Sequence, residues 1–254
     1  MGPSSSLAPT GLARLLRVTR TAAIAWPLAL IANSSCALDA SKPITLPAQV
    51  TDGVLQIGSR RLILPAGEWV LTNRVEEGTV AFGRGGQDLY GRAITVYAVN
   101  VEKGRLQGLL NLTLPIEEGR WVRPLNDIVC PNNDAIIQRS TSQKGLQPAC
   151  LSVSGLKEPY AIPSGQRRPT LEWLANQGVP LTGSIVRFRY GLRHEYSFGR
   201  LVLDVSVDAF ESDDEAWRWA AALRDTLQPL FEHRASEATL PALPSRVAPS
   251  EDSR

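Results

Sequence analysis

The sequence predicts an α+β fold, in which a curved antiparallel β-sheet of meanders and hairpins is packed on one face by a long C-terminal helix. From Val54 onward, apolar and polar residues mostly alternate, which is the two-residue period of β-strands. Short turns rather than helices separate the strand candidates, which favours antiparallel pairing over βαβ units. A helical pattern dominates only near the C-terminus. We therefore expect one sheet of roughly 6–9 strands in a single domain, residues 38–235.

The first part of the predicted sheet is a series of strands joined by turn residues. Residues 54–57 (VLQI) and 61–64 (RLIL) flank the spacer GSR, and residues 68–73 (EWVLTN) follow the turn sequence PAG. The segment 92–115 contains two strand patterns separated by EKG. Glycine is typical of such positions because it adopts positive φ angles without steric strain. The pattern predicts consecutive antiparallel hairpins.

The clearest hairpin lies at residues 183–210. Arginines alternate with apolar residues on its first strand, and Asp and Ser alternate with apolar residues on its second. Because successive side chains of a strand point to opposite faces, the hairpin should have one apolar face and one solvated, polar face. The predicted polar face carries Ile185, Arg187, Arg189, Val202, Asp204, Ser206 and Asp208, and the apolar face carries Val186, Phe188, Tyr190, Leu201, Leu203, Val205 and Val207.

Two helices are predicted in the second half of the chain. The first begins at an N-cap, Thr170, and ends at Gly178. The second begins with a capping box formed by Ser212 and Glu215, and its apolar residues recur at helical spacing. We expect this second helix to cover the apolar face of the sheet. Residues 236–254 contain little to bury and are predicted to be a disordered tail.

The N-terminal region has the layout of a secretory signal peptide. Three arginines precede twelve uncharged residues, 21–32, and no acidic residue occurs within residues 1–37. This stretch of twelve residues is shorter than the about 20 apolar residues that a membrane-spanning helix needs, and Pro27 interrupts it. Small residues at Ser35 and Ala37 predict cleavage after Ala37, so residues 1–37 are predicted to be the signal peptide.

Two other interpretations of this region stay open. Cys36 follows small residues, as the acylated cysteine of a bacterial lipoprotein does, although Asn33 stands where such signals usually carry Leu. Lipidation would tether the protein to a membrane. A mitochondrial transit peptide is also rich in Arg and Ser, but the block of uncharged residues after Arg20 fits export better.

Removal of the signal peptide changes the charge of the protein. The whole chain has a formal net charge of +2, and residues 1–37 include three arginines and no acidic residue, so the formal charge becomes −1. A nearly neutral domain exerts no overall attraction on nucleic acid, and we expect no nucleic-acid partner. We expect contact with a membrane only transiently, through the signal peptide, unless Cys36 is lipidated.

Cys130 and Cys150 remain after processing and are predicted to form a disulfide. The segment between them is polar and rich in turn residues, so it has little apolar surface to hold it in place. Closing a loop of roughly 20 residues stabilises a fold by about 3 kcal/mol in the chain-entropy model. We expect the disulfide to staple an excursion from the sheet near residues 115–168. A redox pair or a metal site would need CxxC spacing or nearby histidines, which this segment lacks.

No catalytic, cofactor-binding or metal-binding motif is found in the sequence. The two histidines are His194 and His233, and HEYSF, which begins at His194, lacks the second histidine of an HExxH zinc site. There is no GxSxG nucleophile motif, and the glycine-rich GRGGQD lacks the pattern of a phosphate-binding loop. We therefore expect no cofactor and no metal, and a binding protein rather than an enzyme.

The residues predicted to bind a ligand or partner belong to the polar face of the hairpin. They are Arg187, Arg189, Arg193, Tyr196 and Asp204, with Tyr190 nearby. One role for them is structural, because Arg and Asp on neighbouring strands can pair across a sheet and contribute about 0.2–1 kcal/mol. The other role is recognition of an anionic ligand or of a partner's acidic segment, to which the planar guanidinium group is suited.

The sequence thus predicts an exported, periplasmic, non-catalytic protein that binds a ligand or an envelope protein through its polar sheet face or its stapled loop. An envelope-located hydrolase, with a site dispersed in the sequence, is the alternative from a different functional class. A lipoprotein tethered to a membrane through Cys36 is the third interpretation.

Overall fold

Alternating apolar residues form the strands of two β-sheets in the computed structural model of the chain. The structure describes residues 37–79, 91–116, 138–143, 149–157, 159–160, 165–194 and 197–244, which belong to one unit, residues 35–254. The fold is mixed α+β with mostly antiparallel strands, as the sequence predicts. Residues 1–36 of the predicted signal peptide, Cys130 and Tyr196 lie outside the described residues.

Twelve strands are present in the described ranges. In chain order they are β1 (Leu38–Asp39), β2 (Ala48–Gln49), β3 (Val54–Ile57), β4 (Arg60–Ile63), β5 (Trp69–Thr79), β6 (Gly91–Glu102), β7 (Arg105–Pro115), β8 (Gln138–Gln143), β9 (Ala149–Lys157), β10 (Ser184–His194), β11 (Ser197–Ser206) and β12 (Glu237–Thr239). Eight of them form a large sheet in the order β2-β5-β6-β7-β11-β10-β9-β8, with all neighbours antiparallel. The other four form a small sheet in the order β1-β3-β4-β12.

The hairpins predicted at residues 54–64, 92–115 and 183–210 are confirmed, whereas the strands on either side of PAG, β4 and β5, do not pair and lie in different sheets. β3 and β4 pair antiparallel on either side of Gly58, and β6 pairs with β7 across a turn at Lys103 (φ 51°) and Gly104 (φ 72°). Two successive positive φ angles match the right-handed twist of the flanking strands, which is why such turns favour glycine. In the hairpin of β10 and β11, Arg187 lies directly opposite Asp204.

The small sheet differs from the single sheet that the sequence predicts. β3 and β4 are antiparallel, but β1 pairs parallel to β3 and β12 pairs parallel to β4. Parallel strands need a long connection, so their pairing leaves no local turn signal in the sequence. Alternation along the chain therefore indicated strands without indicating that they divide between two sheets.

Part of the predicted disordered tail is folded. Ala238 in β12 and Leu240 just beyond it are buried. The backbone amide of Leu240 donates to the carbonyl of Ile63 at 2.9 Å. The predicted disorder is therefore wrong for residues 236–244, while residues 245–254 lie outside the described part of the chain. The short β12 thus pairs with β4 at the edge of the small sheet.

The predicted excursion also contributes to the large sheet. β8 and β9 fall within the segment 115–168, which the sequence suggested would leave the sheet, and they pair antiparallel at its edge. β9 has buried side chains on both of its faces. Residues 117–137 and 144–148 lie outside the described ranges. The described part of this segment is therefore an edge of the sheet rather than a departure from it.

Two α-helices are described, α1 (Arg168–Asn176) and α2 (Asp213–Phe231). Ser212 caps α2 as predicted, because its hydroxyl accepts a hydrogen bond from the amide of Glu215 at 3.2 Å. The carboxylate of Glu215 accepts from the amide of Glu211 at 2.6 Å, one residue before the partner that a capping box would use. Within the described residues, no helix has both the length and the apolar character required to cross a membrane.

Thr170 does not cap α1, so the predicted start of this helix is wrong. The helix begins before Thr170, and its N-cap residue, Arg167, makes no side-chain capping bond. Pro169 is accepted in the first turn because the amide that proline lacks would be unpaired there in any case. Thr170 is buried instead, and its hydroxyl accepts from the hydroxyl of Thr72 at 3.0 Å. The predicted end is confirmed by Gly178, which has a φ of 70° just beyond the helix.

The main core is formed by side chains of the large sheet, the small sheet and α2. The ring centroids of Phe188 and Trp219 are 4.7 Å apart, and Tyr190 stacks on Phe231 with centroids 5.5 Å apart. Tyr190 therefore faces α2, and the expectation that it lies near the polar binding residues is wrong. The alternation of β10 places it on the face opposite to Arg189.

Candidate functional site

The face of the large sheet that is turned away from the main core is the polar face. Residues that pair directly across neighbouring strands lie on the same face, so the register defines rows of side chains across β9, β10, β11, β7 and β6. The first row is Ser154, Arg187, Asp204, Leu109 and Val99; the second is Ser152, Arg189, Val202, Asn111 and Tyr97; the third is Cys150, Gly191, Arg200, Thr113 and Thr95.

Arg187 and Asp204 form a bidentate ion pair in the first row. Nε and Nη2 of Arg187 donate to Oδ1 and Oδ2 of Asp204 at 2.6 and 2.7 Å. The predicted pairing across β10 and β11 is therefore confirmed. The expected solvated surroundings are wrong, because the two side chains are only 7% and 1% exposed.

The region of the chain around α1 covers this part of the polar face. Its apolar side chains form a second buried cluster with apolar residues of the sheet, and the cluster contains Val99, Leu109, Tyr160, Leu171, Leu174, Val179 and Ile185. This packing accounts for the burial of Arg187 and Asp204. A strand pattern shows which face is polar, but it does not show that a distant helix returns over that face.

Two residues that the sequence analysis did not select complete the surroundings of the ion pair. The hydroxyl of Tyr160 donates to Oδ2 of Asp204 at 2.7 Å, and Nη1 of Arg167 lies 3.9 Å from the same oxygen. We call Arg187, Asp204, Tyr160 and Arg167 the buried cluster. Tyr160 and Arg167 belong to no motif, so only their position in the folded chain identifies them.

Burial and the charge of Asp204 set the protonation of the buried cluster. Burial raises the pKa of Tyr160 well above its ordinary value, and the charge of Asp204 and the hydrogen bond to it raise it further. Burial acts to lower the pKa of Arg187, but the hydrogen bond and charge of Asp204 outweigh it, and the net pKa is raised. Tyr160 is therefore neutral and Arg187 charged at physiological pH. Both oxygens of Asp204 accept hydrogen bonds, so this carboxylate is an ion-pair partner rather than a free base.

Arg189, in the second row, makes no hydrogen bond or ion pair with any residue that the structure describes, and its side chain is half-buried. Burial lowers the pKa of its guanidinium, and repulsion from Arg187 lowers it further. Asp204 opposes this effect, while Arg167 and Arg200 add to it. A guanidinium stays charged in proteins, so Arg189 is a half-buried cation that no described residue pairs with.

The second row also contains two buried polar atoms that have no hydrogen-bond partner among the described residues, Ser152 Oγ and Asn111 Oδ1. Ser152 pairs directly with Arg189, and Asn111 lies two strands from Arg189, beyond Val202. The two residues are 1% and 9% exposed. Buried polar atoms are normally paired, so this row combines a cation with two groups that are able to bond a ligand.

The remaining predicted binding residues are placed only in part. Arg193 lies in β10 with its backbone paired to β11, and its side chain is outside the described part of the structure. Tyr196 lies wholly outside it. Arg200, which the sequence analysis did not select, is exposed in the third row and donates to the hydroxyl of Thr113 at 3.4 Å. Alternation along β11 could have indicated it, because it lies on the same face as Asp204.

The two histidines have different surroundings. The backbone of His194 pairs with Ser197 at the end of the β10–β11 hairpin, and its side chain is outside the described atoms. His233 follows α2, and its Nδ1 accepts a hydrogen bond from Nη2 of the buried Arg60 at 2.9 Å, since a guanidinium has only donors. Across the described ranges, no group of three or more His, Cys, Asp or Glu residues could hold a metal ion.

A pocket of about 440 Å³ lies beside the buried cluster. Residues 180–185 and 204–208 line it together with Arg105, Leu106 and Tyr160. Its volume falls in the range of small-molecule sites, and its wall mixes apolar and polar side chains. By strand register, the pocket and the second row lie on opposite sides of the buried cluster.

Asp204→Ala should lower the free energy of unfolding by about 3–5 kcal/mol, because it leaves Arg187 buried without a counter-charge. The paired change of Arg187→Met with Asp204→Leu removes both charges and should be markedly less destabilising, since apolar side chains of similar volume can replace a buried ion pair. Urea unfolding followed by circular dichroism measures both variants. Equal destabilisation by the two would contradict the burial of this pair.

The stability of the protein should fall steeply above about pH 10. In the unfolded chain Tyr160 loses its proton there, whereas in the folded chain its raised pKa retains the proton. Tyr160 therefore makes its full contribution to the free energy of unfolding at pH values below its pKa in the unfolded chain. Above that pKa, the contribution falls by up to about 1.4 kcal/mol per pH unit. Tyr160→Phe should reduce this slope in denaturant unfolding series at neutral and alkaline pH. Tyr190→Phe should also reduce the slope, because burial raises the pKa of Tyr190 too, and the two effects should add in the double variant. A slope unchanged by Tyr160→Phe would contradict the assignment.

No protein-family model, curated protein or solved structure matches this chain.

The side chains of the polar face determine which chemistry it can perform. Within its three described rows, Asp204 is the one carboxylate, and it is bonded to Arg187 and Tyr160. Arginines and buried polar atoms in this arrangement can bind an anion through charge and hydrogen bonds.

Proposed function

We propose that the chain is an exported, non-catalytic protein that binds an anionic ligand, or the acidic segment of an envelope partner, on its polar face. The observation that carries the proposal is a charge imbalance. Among the described residues, the three rows contain three arginines, Arg187, Arg189 and Arg200, against one aspartate, Asp204. Nη1 of Arg167 lies 3.9 Å from that aspartate. Asp204 is already bonded by Arg187, so positive charge is left over. The planar guanidinium fork favours a carboxylate or phosphate as its complement.

The state of the buried cluster supports a binding role over the alternative of a hydrolase. A general base needs a carboxylate or imidazole that is free to accept a proton from a substrate or water. Both oxygens of Asp204 accept hydrogen bonds from Arg187 and Tyr160, and Nδ1 of His233 accepts from Arg60. These groups stabilise structure and hold charge, which supports binding rather than proton transfer.

Cys150 supports the proposed export and the proposed disulfide. Its sulfur is disulfide-bonded, and the residue is 5% exposed in β9. Disulfides persist mainly in oxidising compartments such as the bacterial periplasm. The other cysteines of the chain are Cys36 and Cys130. We take Cys130 as the partner, because Cys36 would be removed with the signal peptide.

The start of the fold supports cleavage after Ala37 rather than lipidation. Leu38 begins β1, Ala40 is fully buried, and the carbonyl of Ala40 accepts a hydrogen bond from Nε of Arg74 at 2.6 Å. A lipid on Cys36 would leave Ala37 as the whole spacer before β1, about 7 Å of extended chain. The small sheet would then be held against the membrane surface. Leu38 is accordingly the proposed first residue of the mature protein.

We further propose that the large sheet is curved and that α2 is its long C-terminal cover. The register shifts between Leu71 and Asn73 in β5, and again after Asn100 in β6. Shifts of this kind mark β-bulges, which bend strands and increase their twist. The aromatic contacts of Trp219 and Phe231 with β10 support the position of the helix on the apolar side. In this arrangement α1, solvent and a ligand contact the polar face, and α2 does not.

Thermal unfolding in about 10 mM citrate, compared with sodium chloride at equal ionic strength, tests the binding role. The midpoint should rise more in citrate, because an anion that binds only the folded state stabilises it. Arg200→Glu should reduce this rise by placing a negative charge on the polar face. Arg218→Glu makes the same charge change at an exposed position of α2 and should keep the rise. A wild-type protein that responds equally to citrate and chloride would contradict the proposal.

Mass spectrometry of the protein after expression in a Gram-negative host tests the processing and the disulfide. The mature chain should begin at Leu38, and a peptide map without reduction should contain a fragment that links Cys130 to Cys150. Cys36→Ser, which abolishes any lipidation, should leave cleavage unchanged. An acylated Cys36 would exclude the cleaved form, and free thiols at Cys130 and Cys150 would exclude the disulfide.

A further inference from the structure

We propose that the second row of the polar face is a binding site for a small organic carboxylate that also carries an N–H or O–H donor. Arg189 binds the carboxylate with Ser152 beside it, and Asn111 accepts the hydrogen bond from the donor. The site rests on the proposed binding function and gives it a location and a ligand class.

Strand register places the three side chains in one line. Ser152 in β9 pairs with Arg189 in β10. Val202 in β11 lies between Arg189 and Asn111, and pairs with both. Neighbouring strands are about 4.8 Å apart, so the backbones at Arg189 and Asn111 are separated by about 10 Å. A small organic acid whose carboxylate is reached by the long arginine side chain can extend to Asn111, with the half-exposed Val202 beneath its apolar middle.

Arg189 supplies the charge that an anion needs. Its half-buried guanidinium makes no hydrogen bond or ion pair within the described ranges, whereas Arg187, two residues earlier, is bonded through two nitrogens to Asp204. Partial burial removes water from this cation without providing an ion-pair partner, which is unfavourable. A ligand carboxylate can accept two parallel N–H bonds from the planar fork and relieve this condition.

Ser152 and Asn111 supply selectivity. The hydroxyl of Ser152 can donate to a carboxylate oxygen, whereas Oδ1 of Asn111 can only accept. Chloride and sulfate bring no donor to this oxygen, so they gain no hydrogen bond from Asn111, whereas a ligand with a donor does. A ligand with a carboxylate at one end and an N–H or O–H group at the other satisfies both residues. Hydroxy acids and N-acyl amino acids have this chemistry.

N-acetylglycine and levulinate test the requirement for a donor, because they differ only by the replacement of an amide N–H with a methylene group. NMR-monitored titration of the mature protein should show that N-acetylglycine binds about tenfold more tightly than levulinate, as expected when one buried hydrogen bond is lost. Equal affinities of the wild-type protein for the two acids would overturn the proposal.

Arg189→Gln tests the anion-binding residue. The affinity for both acids should fall by about tenfold or more, because a charge-assisted bidentate contact is lost. The unfolding midpoint of the ligand-free variant should be unchanged or raised, because the variant lacks the incompletely compensated cation. Arg218→Gln, the same change on exposed α2, should alter neither affinity. Unchanged affinities in Arg189→Gln, or a lowered ligand-free midpoint, would overturn the proposal, since a lowered midpoint means that Arg189 is paired within the protein.

Asn111→Leu tests the acceptor, because leucine has a similar volume and no polar atom. The variant should bind N-acetylglycine and levulinate with equal affinity and should keep the wild-type affinity for levulinate. A retained preference for N-acetylglycine would show that the donor is bound elsewhere and would overturn the assignment of Asn111.

Thermal unfolding of Arg189→Gln in citrate separates this site from the wider binding role. A citrate response that persists in Arg189→Gln and is reduced in Arg200→Glu would overturn the second-row site and leave the binding role of the polar face intact. The absence of a citrate response in the wild-type protein would instead contradict the binding role itself. Loss of the response in Arg189→Gln, with its ligand-free midpoint maintained, supports both.

Discussion

The buried ion pair between Arg187 and Asp204 holds the polar face together. Opposite charges in the middle of a sheet are stable only when both are paired and hydrogen-bonded, because either charge alone would be strongly disfavoured without water. Tyr160 and Arg167 complete the surroundings of Asp204, and the apolar residues around α1 accompany the burial of the pair. The pair therefore links β10, β11 and the segment before α1. A shift of any of these three parts would expose or unpair a charge.

The same pair determines what the neighbouring arginine can do. Arg187 and Arg189 are two residues apart on one strand and point to the same face, but Asp204 lies opposite the first and Val202 lies opposite the second. The first arginine is thus neutralised within the protein, and the second makes no ion pair with any residue that the structure describes. One residue type therefore serves structure at one position and is available for binding at the next.

β10 connects this face to the main core. Phe188 and Tyr190 pack against aromatic residues of α2 on one side of the strand, while Arg187 and Arg189 occupy the other. Because β10 is paired to β9 and β11 along most of its length, its backbone has little freedom to move. A side chain on such a strand is positioned more precisely than one on a loop, which fits the proposed site for a small ligand bound at two points.

Local sequence patterns were sufficient for the strands of the β3–β4, β6–β7 and β10–β11 hairpins, for their glycine turns, for the cap of α2 at Ser212 and for the two faces of the hairpin at residues 183–210. These features depend on neighbours within a few residues, where side-chain alternation and backbone preferences act directly. The same patterns selected Arg187, Arg189 and Asp204, because all three lie in one hairpin. Three other features depend on contacts between distant segments. They are the burial of the ion pair, the second sheet, and the inclusion of Tyr160, Ser152 and Asn111 in the polar face. Periodicity shows which way a side chain points, but it carries no information on which remote segment packs over it or lies beside it.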